Sequence, residues 1–100
     1  MYRLLRVSRC KMGKVREAIQ LGNETTRYVT EKYPETKIQM FIETFGALVN
    51  VYWSLDFESL SVWEDVNKRM MADEAYWAVL SKVPDVFIEG SNEDKLLRSV

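Results

Sequence analysis

The hydrophobic period of this chain switches four times, and the order of the switches restricts the fold more than any motif does. YRLLRVSR, residues 2 to 9, alternates as a strand does, with Leu5 and Val7 on one side and Tyr2, Leu4, Arg6 and Ser8 on the other. KMGKVREAIQLGNETTRYVTEKYP then moves to steps of three and four. Val15, Ala18, Ile19, Gly22, Thr26, Val29 and Tyr33 form one helical stripe, which Pro34 ends. Gly22 costs about 1 kcal/mol relative to Ala inside a helix. Either it marks a close approach of helix to sheet, or it is a tolerated surface glycine.

Two alternating runs follow. Ile38, Met40 and Ile42 alternate with Gln39, Phe41 and Glu43; Val49, Val51 and Trp53 alternate with Leu48, Asn50, Tyr52 and Ser54. Phe45-Gly46 between them reads as a hairpin turn. A second helix starts at an N-cap supplied by Asp56 or Ser59 and turns Leu60, Trp63, Val66, Asn67 and Met70 inward. Asp73 caps a short helix, EAYWAVLSK, before Pro84. DVFIEG reads as the last strand, with Val86 and Ile88 opposite Phe87 and Glu89. The apolar Leu96, Leu97 and Val100 of the tail predict that it docks, and exchange of KLLRSV with a partner is one way to dock it.

Strand, helix, strand, strand, helix, strand is an α+β order. Two split βαβ units give the ferredoxin-like βαββαβ arrangement: a four-stranded antiparallel sheet with its helices on one face. One hundred residues suffice for a single domain over 1–100 that buries roughly two thirds of its unfolded surface. Trp63, Met70, Tyr76, Trp77 and Leu80 recur at helical spacing. They read as the layer covering the sheet rather than as a box for a ring-shaped cofactor. The opposite side of the sheet is expected to carry Tyr2, Leu4, Arg6, Gln39, Phe41, Glu43, Phe45, Leu48, Asn50, Tyr52, Phe87 and Glu89. Such a face covers roughly 400 Å² from strand spacing and rise. It is too aromatic for water and too polar for a dry core, and apolar patches of that scale mark interfaces or ligand grooves. The economical cover is a second copy with twofold symmetry.

Composition removes several classes of function. A net charge of −1 lacks the excess of Lys and Arg that a general nucleic-acid surface needs. FGALVNVYW also lacks the leading basic residue and the aromatic spacing of RNA-recognition strands. No run approaches the eighteen or so apolar residues of a membrane span. Arg3, Arg6 and Arg9 interrupt the opening apolar residues, so it does not read as a secretory leader. Cys10 is the one cysteine and there is no histidine. The compartment is therefore read as reducing, the cytoplasm, and neither a metal site nor a cofactor is expected.

The opening YRLLRV with KMGKVREAI, the stretch VYWSLDFESLSVWEDV, the helix ADEAYWAVLSK and the segment VFIEGS together resemble the dimeric α/β barrel superfamily, and within it the NIPSNAP-like group. The likeness spans nearly the whole chain and is one of layout; none of these stretches is a catalytic signature. It implies a homodimer whose two sheets face each other around a central space. The superfamily includes cofactor-free monooxygenases, haem-degrading enzymes and members without known activity. Haem-degrading relatives use a histidine as iron ligand, and this chain has none.

On that expected face the best constellation is Arg6 and Glu43 with Gln39, Phe41, Asn50 and Tyr52. A partly desolvated Glu43 suits a general base, and Arg6 suits an anionic or enolate oxygen. Tyr52 and Phe41 suit stacking on a flat apolar ligand, with Asn50 and Gln39 as polar contacts. The same residues also fit a structural Arg6–Glu43 ion pair between strands. Three readings stay open: a structural module, a binder of a small organic molecule, and a cofactor-independent monooxygenase or isomerase.

Overall fold

Leu4, Leu55 and Phe57 alternate on two neighbouring strands and are almost fully buried, so the core begins on that face of the sheet. The computed structural model describes residues 1–43 and 49–100. Strand β1 (Tyr2–Arg9) leads to α1 (Val15–Lys32), β2 (Gln39–Ile42), β3 (Asn50–Phe57), α2 (Leu60–Met71), α3 (Glu74–Val79), α4 (Val83–Val86) and β4 (Glu93–Arg98). The sheet order is β2-β3-β1-β4, with every ladder antiparallel. This is the ferredoxin-like α+β fold that the order of periods predicts. The Phe45-Gly46 turn lies outside the described residues.

The helices lie on one face. Val29 and Tyr33 of and after α1, Val66 and Met70 of α2 and Tyr76 of α3 pack on Leu4, Leu55 and Phe57. Ala18, Leu21, Val86 and Phe87 pack around Val51 and Cys10. Each fully buried Val or Leu contributes about 1.5–3 kcal/mol of burial. Gly22 lies where α1 presses on the sheet: a Cβ there would overlap the Met40 sulfur, and the Trp53 Cζ2 stands 3.6 Å away. Of the two explanations for that glycine, close approach is the correct one. Ser59, rather than Asp56, caps α2 by accepting from the Val62 N–H, and Asp73 caps α3 by accepting from the Ala75 N–H.

Three expectations change. The phase of β1 is the reverse of that expected: Leu4 pairs with Leu55, Arg6 with Trp53 and Ser8 with Val51, all toward the helices. Leu5 and Val7 lie on the open face, opposite Ser54 and Tyr52. The Leu4-Leu5 doublet offers an apolar residue to either face, and pairing with β3 decides between them. The fourth strand is the tail, Glu93–Arg98, paired with β1 of the same chain, not DVFIEG. Pro84 sits in the first turn of α4, Phe87 makes a single bridge to Cys10, and Gly90 turns with φ +79°. Phe87 is consequently core, edge-on to Trp53 at 6.0 Å, and not on the open face. The buried stripe of α1 is Ala18, Leu21, Gly22, Thr25 and Val29, while Ile19 is exposed.

Candidate functional site

Strand register divides the predicted site residues between the two faces. Gln39, Phe41, Glu43, Asn50 and Tyr52 share the open face. Phe41 lies opposite Tyr52, and Gln39 opposite Ser54. The carboxylate Oε2 of Glu43 accepts from the Asn50 amide at 2.6 Å and from the Tyr52 hydroxyl at 3.2 Å. The cation that joins this group is Arg9, whose Nε donates to the Asn50 Oδ1 at 3.1 Å. Arg6 points to the helix side, so the expected Arg6–Glu43 pairing does not form. Alternation counted from the phase expected for β1 puts Arg9 with Leu5 and Val7, away from Glu43; the register puts all of them on the open face.

Arg6 instead borders a cavity of about 610 Å³, partly open to solvent, between the sheet and the α2–α4 segment. The register builds a row across the sheet: Asp94 on β4, Arg6 on β1, Trp53 on β3 and Met40 on β2. Arg6 Nε and Nη2 donate to the two oxygens of Asp94 at 2.8 and 2.9 Å, a fork-to-fork pair. This bond is the main reason that the Asp94 carboxyl is held below its ordinary range and the Arg6 guanidinium above its own. One residue pair further along β1, Ser8 donates to the Asn92 Oδ1 at 2.6 Å.

The rest of the wall is aromatic and apolar. Trp53, Trp63, Tyr76, Trp77 and Phe87 line it together with Met70 and Leu80. Trp63 leans on Phe57 at 5.1 Å between ring centres, and Tyr76 meets Trp77 edge-on at 5.6 Å. Burial raises the Tyr76 phenol above its ordinary value, with nearby Arg6 opposing. The predicted covering layer therefore covers the sheet incompletely and leaves a chamber beneath it. The sequence around Asn92 and Asp94 carries no alternating signal strong enough to read as a strand, so it does not mark them as site residues.

The profile of the NIPSNAP family matches residues 2–99. The chain belongs to the NIPSNAP family. Solved structures agree in fold. A NIPSNAP family protein of unknown function from Agrobacterium tumefaciens superposes with a TM-score of 0.82 at 20% identity, covering 100% of this chain and 88% of that one. An uncharacterised NIPSNAP domain protein from Burkholderia xenovorans gives 0.80 at 17% identity, covering 100% and 95%. An antibiotic biosynthesis monooxygenase gives 0.74 at 12% identity over 100% and 99% of the two chains. No curated protein matches the chain. Among the described residues of this NIPSNAP domain, no helix is long and apolar enough to cross a membrane.

Proposed function

We propose that this NIPSNAP domain is a homodimeric binder of a small flat organic molecule, held in the chamber between sheet and helices of each protomer. The chamber itself carries the reading. About 610 Å³ bounded by Trp53, Trp63, Tyr76, Trp77 and Phe87 is within the usual size range of ligand pockets and offers ring faces for stacking. The ligand space thus moves from between two sheets to beneath the helices of one protomer. Binding is favoured over catalysis because Arg6 and Asp94, the charged residues of the wall, are engaged with each other. Arg6 and Glu43 lie on opposite faces, so no base-and-cation pair of that kind operates on one substrate.

Self-association is supported by the open face and by area. Leu5, Val7, Phe41, Tyr52 and Leu97 share that face, and Phe41 and Leu97 are about half exposed. The chain exposes 6682 Å². A monomeric protein of this mass exposes about 5,900 Å². The excess is what a protomer with an uncovered apolar face shows. In such a dimer the Arg9–Asn50–Glu43–Tyr52 cluster meets the partner and fixes its register, while Gln39 and Phe41 flank it. The cytoplasm remains the proposed compartment, on the lone buried Cys10.

Calorimetric titration with 1-acetylnaphthalene tests the binding reading. Saturable binding by the wild type, lost when Leu80→Trp fills the chamber, is the expected result. Absence of binding, together with a bare mass in native mass spectrometry of protein taken from its source organism, overturns it.

A further inference from the structure

Two polar pairs of the chamber wall are closed on themselves, while the buried Trp53 Nε1 has no hydrogen-bond partner, and this restricts what the chamber accepts. Ser8 and Asn92 bond each other, and Arg6 is forked onto Asp94. The second pairing is imposed by the strand register. Arg6 and Asp94 are directly opposite in the β1–β4 ladder. The ion pair therefore presents no net charge to the chamber, and a carboxylate ligand would meet Asp94 beside the very cation it seeks. We infer that Asp94 is the charge selector of the chamber: by neutralising Arg6 it admits uncharged flat aromatic molecules and turns away aromatic carboxylates.

This inference rests on the binding reading and deepens it. The pair belongs to the lining and is partly open to solvent, with side-chain exposures of 38% for Arg6 and 46% for Asp94. The cation at this position, read alone, suggests an acid as ligand. The pair as built reverses that. Asp94 lies on an edge strand whose residues are all exposed, so replacing it leaves the core intact.

The test uses two probes of one shape, 1-acetylnaphthalene and 1-naphthoate, titrated calorimetrically into the full chain at neutral pH. The wild type is expected to bind the ketone on the order of tenfold more tightly than the acid. Asp94→Asn frees Arg6 and is expected to shift the ratio of the two affinities toward the acid by a similar factor. The double variant Arg6→Gln with Asp94→Asn keeps an uncharged pair of similar shape, and is expected to restore the preference for the ketone. A wild type that binds both probes alike, or prefers the acid, overturns the inference without help from any variant. So does an unchanged ratio in Asp94→Asn. If neither probe binds the wild type, the selector fails, and the binding reading fails with it when the native mass is bare as well; if both bind without discrimination, only the selector fails.

Discussion

Gly22 shows how a single side-chain atom sets the distance between two layers. The helix gives up about 1 kcal/mol of propensity there and gains close contact with β2 and β3. Alanine would push against the far end of Met40, a flexible chain that can swing aside. Valine adds branches toward the Trp53 ring, which cannot. Gly22→Val is expected to destabilise the fold by about 1–3 kcal/mol, the usual cost of overpacking, measured as a shift of the urea midpoint with an unchanged slope. Gly22 was legible as a member of the helical stripe. Its reason was not, because the atom it makes room for comes from a strand eighteen residues later. Leu4 and Leu5 teach the same lesson. Each is apolar, and only the Leu4–Leu55 pairing selects which is core.

Among elements, the joint between α1 and α3 is tied through one carboxylate. Asp73 caps α3 and also accepts from the hydroxyls of Tyr28 at 2.5 Å and Tyr33 at 2.8 Å, while Lys32 stands at 3.0 Å. Its side chain is 7% exposed. The Tyr28 bond is the largest reason that the Asp73 carboxyl is held far below the usual range, with burial opposing and Lys32 and Tyr33 assisting. A depressed folded pKa means stability that is complete above the unfolded value, about 3.9, and is lost as pH falls toward the folded one. Asp73→Asn keeps the cap but removes the charge. Its stability deficit against wild type is expected to be constant above about pH 5 and to shrink below about pH 4, followed by urea unfolding across that range. A deficit that stays constant down to acid pH would exclude the carboxylate as its source. The caps of α2 and α3 were visible in the sequence because they are local. The fourth strand was not: Val86, Phe87 and Ile88 have the β-rich composition of a strand, yet Val86 and Phe87 are spent on burial against Cys10 and Val51. Glu93–Arg98 looks like a polar tail until β1 supplies its hydrogen-bonding partner.

For the whole molecule, a two-layer build leaves one sheet face without cover from the described residues. Leu5, Val7, Phe41, Tyr52 and Leu97 lie on it beside the Arg3–Asp56 pair and the Glu43 cluster. Phe41 is half exposed in the single chain. A charge placed there costs the protomer little but sets like charges against each other across a twofold axis. Phe41→Asp is therefore expected to convert a dimer at micromolar concentration to a folded monomer, read by sedimentation together with an unchanged far-ultraviolet spectrum. A wild type that sediments as a monomer overturns the proposed assembly and leaves the chamber beneath the helices unaffected.

The order of elements, the α+β class, the helix caps and the absence of histidine chemistry were set by local sequence. Periodicity and capping act over a few residues and need no distant partner. Which face β1 turns to the helices, which segment completes the sheet, and which cation meets which carboxylate were settled by packing. Alternation has two equivalent phases, and an edge strand has no intrinsic signal apart from the neighbour that pairs with it. The single reversal of phase in β1 carried Arg6 from Glu43 to Asp94, and moved the proposed site from one side of the sheet to the other.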